Sequence, residues 1–311
     1  MSDDSTPAVA EPGSSDPLPL SVWLTGQQPS RVQRAGRYVP ASMAHPGKML
    51  PAIARHAISA YTQPGELVLD PMCGIGTTLV EAVHLGRDAW GVEYEPPWSL
   101  LARRNLADAA SHGAPGRGRV LCGDARHVNG LLPEDMRGQV ALVLTSPPYG
   151  ASLHGHVSTA PGRGVRKTNY RYSRDRTNLG NLAHANLGQL ISGFLQILTA
   201  CTPLLRPGGV VAMTVRPYWH RGALIDLPGR LTTAITDHGP LTLLDRNVAL
   251  LAAVRDQALV PRASFFQLDQ VRKARAAGRP RHLIAHEDLL VFRRPDNTAA
   301  PSQTRLDGQA A

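Results

Sequence analysis

Glu66-Leu67-Val68-Leu69-Asp70-Pro71-Met72-Cys73-Gly74-Ile75-Gly76-Thr77-Thr78 is an apolar run closed by an acid and followed by a glycine-rich loop. The run reads as a strand. Thr77 to Leu85 reads as the helix leaving the loop, with Gly86 as its stop. Strand, glycine loop and helix in that order is a nucleotide-binding arrangement. A dinucleotide fingerprint would carry a further glycine three residues after Gly76, but Leu79 stands there. Asp70 closes the strand with a carboxylate, which repels a pyrophosphate and attracts an amine. The loop therefore suits an aminoacyl nucleoside such as S-adenosyl-L-methionine, with Gly74 and Gly76 letting the backbone approach it closely.

Working outward, Met49 to Tyr61 carries apolar residues at helical spacing. Ala89 to Glu93, Val120 to Asp124, Val140 to Leu144 and Val210 to Val215 read as further strands. Helices over Glu95 to Ala110, 186–205 and 222–237 alternate with them. Arg206-Pro207-Gly208-Gly209 is expected to close the helix before the fifth strand. Such alternation implies a parallel sheet covered on both faces. The last apolar runs, 241–254 and 283–293, lack the usual intervening helix. They are expected to pair antiparallel at one edge, with 256–281 as an insertion.

Asp70, Glu93 and Asp124 end three consecutive strands. A carboxylate after the second strand can accept from ribose hydroxyls, and one after the third from an adenine amine. Pro71, Gly74, Gly76 and Thr77 complete the expected cofactor site.

The fourth strand runs into Thr145-Ser146-Pro147-Pro148-Tyr149-Gly150. Neither proline has an N–H, so neither extends a sheet ladder, and Ser146 is pushed into an extended conformation. The result is a stiff corner at the carboxyl end of a strand, where open α/β sheets bind ligands. An exocyclic base amine is a poor nucleophile because its lone pair is delocalised. The Ser146 hydroxyl and the Pro147 carbonyl could accept its hydrogens and favour a tetrahedral nitrogen. The Tyr149 ring could stack on an extruded base.

Ser146-Pro147-Pro148-Tyr149 resembles the catalytic motif of the amino-methylating DNA methyltransferases, the cytosine-N4 and adenine-N6 family. The resemblance implies that Ser in first place goes mostly with cytosine N4, and Asp or Asn with adenine N6 or other amines. Over about residues 45–294 the chain is similar to the seven-stranded class I methyltransferases. Asp70 to Thr78 looks like their cofactor loop, and Arg206 to Gly209 is also familiar from them. The resemblance implies an α/β, Rossmann-like, seven-stranded and mostly parallel sheet, with helices on both faces and an antiparallel edge hairpin. It implies His45 to Met49 beside the methionine part of the cofactor. It also implies cytosine-N4 methylation of DNA, with or without a restriction endonuclease as partner. Adenine-N6 transfer stays open, as does an RNA enzyme of the tRNA guanine-N2 type. Against RNA stand Ser146 and an N-terminal segment too short for an RNA-binding domain. Glutamine-amide methylation of protein would expect Asn in place of Ser146. A catalytically inactive nucleic-acid-binding module would not keep the loop, the acids and the corner together. Carbon-5 methylation needs a cysteine after a proline, and Cys73, Cys122 and Cys201 all lack one.

The 311 residues carry a net charge of +9. Residues 151–185 hold Arg163, Arg166, Lys167, Arg171, Arg174 and Arg176 against Asp175, a net +5. Residues 262–281 also carry +5, so the excess sits in two connecting segments, as a polyanion-binding surface requires. Tyr170 and Tyr172 interleave with these arginines and suit base stacking beside phosphate contacts. His154, His156 and His184 read as loop polar groups, with no metal. Residues 1–20 and 296–311 have the composition of disordered tails, and 21–44 that of an N-terminal arm; 45–295 reads as the methyltransferase domain. Few cysteines and an acidic start lacking a signal pattern point to the cytoplasm. No membrane span is expected, and oligomeric state is not legible.

Overall fold

The computed structural model describes residues 18–148, 156–159, 165–168 and 181–295. In chain order the elements are β1 (Val22–Trp23), α1 (Ser30–Arg34), α2 (Pro51–Tyr61), β2 (Leu67–Asp70), α3 (Thr77–His84) and β3 (Asp88–Glu93). They continue with α4 (Pro96–Ser111), β4 (Gly118–Cys122), α5 (Val128–Leu131), β5 (Val140–Thr145), β6 (His156–Thr159), β7 (Val165–Thr168) and α6 (Leu187–Cys201). The last are β8 (Leu205–Val215), β9 (Tyr218–His220), β10 (Ala223–Ile225), α7 (Leu227–His238), β11 (Thr242–Leu250), β12 (Ala252–Arg255), β13 (Ala258–Pro261), α8 (Phe265–Ala276) and β14 (His286–Arg293).

The main sheet has the order β1-β11-β14-β8-β5-β2-β3-β4. β14 pairs antiparallel with both its neighbours, and every other pairing is parallel. The strands that were legible as apolar runs are buried on both faces. Val68, Leu142, Leu144, Ala212, Leu289 and Val291 point to one side, where α2, α3 and α4 pack. Leu69, Val143, Val211, Met213, Leu290 and Phe292 point to the other, under α5, α6 and α7. That alternation is the period-2 pleat.

Helix starts follow local chemistry. Asn186 and Gln189 form a reciprocal capping box at the head of α6, which supplies two orphan donors with acceptors. Asp226 accepts from the Gly229 N–H at the head of α7. Leu187–Leu204 has the length and hydropathy of a membrane-crossing helix. Here Leu190, Phe194, Ile197 and Leu198 are buried against the sheet, and a 3₁₀ turn at Thr202–Leu204 ends the run.

The sheet differs from expectation at several points. It has eight strands, because β1 from the N-terminal arm adds itself outside β11. The antiparallel strand β14 lies inside the sheet between β11 and β8, and in the chain β12, β13 and α8 intervene between β11 and β14. Arg206 to Gly209 does not close a helix; it belongs to β8, where the pairing with β5 jumps from Val140↔Leu205 to Leu142↔Val210. Gly208, with φ 67°, lets the extra residues bulge out of the ladder. The third strand ends at Cys122, and Asp124 instead caps the 3₁₀ turn Ala125–His127.

The arm is built into the fold. Trp23 stacks on His56 with centroids 4.0 Å apart. Glu81, fully buried on α3, accepts from Tyr38 Oη at 2.6 Å, Arg37 Nη2 at 2.7 Å and Arg55 Nη1 at 3.2 Å. Removing one side of a buried charge cluster strands the other, at a cost of about 3 kcal/mol. Glu81→Ala is thus expected to lower unfolding stability by about 3 kcal/mol. Arg55→Ala, at a partly exposed partner, should cost under about 1 kcal/mol. Urea denaturation of both variants checks the ranking, and equal losses would contradict it.

Candidate active site

A cavity of about 710 Å³ runs along the carboxyl ends of β2, β3, β5 and β8. Asp70, Pro71, Gly74, Thr77, Glu93, Asp124, Ser146, Pro147 and Pro148 all line it. Gly76 does not. Its φ of 79° starts α3, and a Cβ there would stand 3.2 Å from the Ala102 Cβ of α4. It shapes the loop from behind rather than touching a ligand.

Each acid has a distinct setting. Asp70 accepts from Thr78 Oγ1 at 2.7 Å and the Met72 N–H at 3.1 Å, so it braces the loop while facing the cavity. Burial pushes its carboxyl up to about 6, against the pull of those hydrogen bonds. Glu93 accepts from the Gly74 N–H at 2.8 Å and the Glu95 N–H at 2.9 Å, tying the loop to the turn after β3. Burial raises it to about 7, partly offset by the two N–H donors. Asp124 is less enclosed. Burial pushes it up, but Arg126, with Nη2 2.5 Å from Oδ2, outweighs that and holds it low. An adenine amine would have to share that carboxylate with Arg126.

Gly74 has φ 53°, and a Cβ on it would lie 3.3 Å from His45 Nε2. The His45 ring packs edge-on against Trp98, with centroids 4.7 Å apart. Lys48 donates to the backbone oxygens of His45 and Met43 and also lines the cavity. Burial, then the nearby Arg34, lowers it to about 8. Cys73 lines the wall too, but burial pushes its thiol well up, which leaves it protonated and a poor nucleophile.

The cavity's donor set fits an aminoacyl nucleoside. Its acids suit hydroxyls and amines, its glycine turn admits close approach, and its volume is that of a typical ligand site. Tyr149, Arg163, Tyr170, Arg171, Tyr172 and Arg174 lie outside the described residues, as do both predicted tails beyond residues 18–295. Arg166 and Lys167 fall on β7, which pairs antiparallel with β6.

Sequence reasoning missed several lining residues. Arg216 stands one residue past β8, where the strand-end rule applied to Asp70 would have flagged it. Glu287 enters because β14 begins at the edge where its neighbours end. Asn181, whose Nδ2 donates to Glu95 Oε1 at 2.8 Å, and Gly26, Gln28, Pro29 and Ser30 of the arm carried no local signal.

Residues 5–102 match the family model described as DNA methylase. The match covers the cofactor loop and Glu93 and stops short of Ser146. A curated relative, the tRNA (guanine(10)-N2)-dimethyltransferase of Methanocaldococcus jannaschii, is 34% identical over 116 residues, 35% of this chain and 30% of that one. The enzyme of the same name from Methanothermobacter thermautotrophicus is 29% identical over 185 residues, 58% of this chain and 43% of that one. The chain spans less than half the length of either. Among solved structures, TrmN from Thermus thermophilus aligns over 85% of this chain and 53% of its own, with TM-score 0.49 and 18% identity. The family match, which covers about a third of the chain, supports an S-adenosylmethionine-dependent amino-methyltransferase assignment with S-adenosylmethionine as cofactor.

The raised carboxyls give a pH signature. A carboxyl raised by folding contributes stability that is complete below its unfolded value and lost as pH climbs through its folded one. For Asp70 and Glu93 that window closes at about 6 and about 7. Hydroxyl and amine donors of a bound ligand favour the ionised forms, so cofactor binding is expected to tighten as pH rises toward about 7, by up to about tenfold per unit. Glu93→Gln should weaken binding and flatten that dependence. Calorimetric titration across this range measures both, and a flat wild-type profile would contradict the assignment.

Proposed function

We propose that the chain methylates the exocyclic amine of a nucleic-acid base by direct transfer, with no covalent enzyme intermediate. The observation that carries this is the shared cavity: Ser146, Pro147 and Pro148 face the same space as Asp70, Glu93 and Asp124. The cofactor supplies an electrophilic methyl group on sulfur. The protein's part is alignment. Asp70 and Glu93 hold the loop in shape through Thr78, Met72, Gly74 and Glu95. Ser146 Oγ and the Pro147 carbonyl accept the amine hydrogens. The amine gains the methyl carbon as the carbon–sulfur bond breaks, and it gives up one proton to solvent. Tyr149 stacks on the base.

Guanine N2 in transfer RNA is the target favoured by similarity to the two tRNA (guanine(10)-N2)-dimethyltransferases. Cytosine N4 in DNA is a second reading, supported by Ser146 at the head of the motif and by the DNA methylase match. A restriction endonuclease partner belongs to that second reading alone.

Expression in a methylation-free host, with mass spectrometry of nucleosides from its DNA and RNA, separates the two. N2-methylguanine in RNA supports the first and N4-methylcytosine in DNA the second; no methylated base in either pool would sink both. Ser146→Ala is expected to cut turnover by about 100-fold, the scale of losing one preorganised polar contact, and Tyr149→Ala by roughly 10- to 100-fold, the scale of one lost base stack. Cofactor affinity should stay nearly unchanged, and its loss in both variants would place the corner in the wrong half of the site.

A further inference from the structure

The cations of residues 262–281 divide once each side chain is followed to its partner. Arg262 donates to the Gly26 and Gln27 oxygens at 3.2 and 2.9 Å, and Lys273 pairs with Asp269 at 2.8 Å. The Arg281 guanidinium lies 4.3 Å from the centroid of the Trp219 ring. Arg272, Arg275 and Arg279 differ: they are exposed, and among the described residues their guanidinium groups take no partner. Asp269, the one acid of α8, is already spent on Lys273.

The backbone under these three is fixed at both ends. Ser264 and Gln267 form a capping box at the head of α8. At its tail Gly278, with φ 71°, donates to the Arg275 oxygen at 3.0 Å, and the Arg279 N–H donates to the Ala274 oxygen at 2.9 Å. These paired bonds fold the chain back on the last helical turn. Arg272 and Arg275, three apart, are neighbours on the helix surface. Beyond Pro280, the Arg281–Trp219 contact ties the exit of α8 to β9. The β9–β10 hairpin then turns through Arg221 and Gly222, with φ 47° and 87°. Glycine and asparagine suit such a turn. An exposed arginine is a strained choice there, and such outliers point toward function. The start of α8 belongs to the cavity wall: Pro261, Arg262 and Ala263 line the cavity and, with Gln267, a small adjoining cleft. From Gln267 to Arg275 the helix rises about 12 Å.

We propose that Arg272, Arg275 and Arg279, with Arg221 at the hairpin tip, hold backbone phosphates of the transfer RNA whose base enters the cavity, a surface that rests on the amine-methylation reading above and deepens it. Guanidinium forks match phosphate oxygens. Contacts of this kind set the register of the substrate without reading its sequence. Cations in the last turn of a helix also complement its carbonyl ends, so the test separates binding from stability.

The full chain is titrated with an unmodified transfer RNA transcript over a series of salt concentrations. The triple variant Arg272→Gln/Arg275→Gln/Arg279→Gln is expected to bind roughly tenfold or more weakly, with the slope of log affinity against log salt reduced by about 2. Arg221→Gln should reduce it by about 1. Arg104→Gln/Arg137→Gln, exposed arginines on α4 and ahead of β5, should keep the wild-type slope. In turnover the triple variant should raise KM for RNA, with kcat, cofactor affinity and the unfolding midpoint unchanged. A wild-type slope in the triple variant, an equal loss per charge in the α4 control, or a lowered unfolding midpoint with RNA binding intact would each overturn the inference. So would a slope change seen with duplex DNA and not with transfer RNA. The predicted slopes with no methyl transferred to RNA or DNA would support the surface and overturn the methylation reading instead.

Discussion

Parallel strands end on the same edge, and everything this chain does depends on that. Five neighbouring strands, β4, β3, β2, β5 and β8, run in one direction. Between β2 and β5 the connections switch from one face to the other: α3 and α4 cover one side and α6 the opposite one. A crevice opens where helices diverge at such a switch. Asp70 sits at it, and Ser146 follows the strand on its other side. The cofactor loop and the diproline corner are neighbours because their strands are, although they lie far apart in the chain.

That placement makes Asp70 a brace as well as a lining group. The residue that would greet a ligand also accepts from Thr78 at the start of α3 and from the Met72 N–H in the loop. Glu93 repeats the device one strand over, holding Gly74 to the turn at Glu95. Both carboxyls carry a desolvation cost from burial, which is why both are raised. Their hydrogen bonds hold the loop in shape, and ligand donors would relieve part of that cost. A site arranged this way loses little entropy on binding.

Most of this was legible where the physics is local. Apolar runs of β-branched residues, helical spacing in α2 and α4, and the acids Asp70 and Glu93 at strand ends stand in the sequence as they stand in the fold. What could not be read is set by tertiary contact. Trp23 and β1 become an eighth strand only because β11 offers an open edge. Gly76 looks like a ligand glycine and is a packing glycine because α4 presses on it through Ala102. Glu287 joins the site through the reversal of β14, which places the beginning of one strand beside the ends of others. Asp124 lines the same cavity, and Arg126, only two residues away, chelates it, a contact that strand-end counting does not register.

Charge counting shows the same limit. Cations tallied by segment suggested two basic surfaces, and among the described residues some cations have specific partners. In the arm, Arg37 serves Glu81 and Arg34 is buried, donating to the Met49 oxygen. In the 262–281 segment, Arg262 holds backbone oxygens of the arm, Lys273 pairs with Asp269, and Arg281 lies over the Trp219 ring. An arginine that satisfies a buried carbonyl or carboxylate adds little to the field outside.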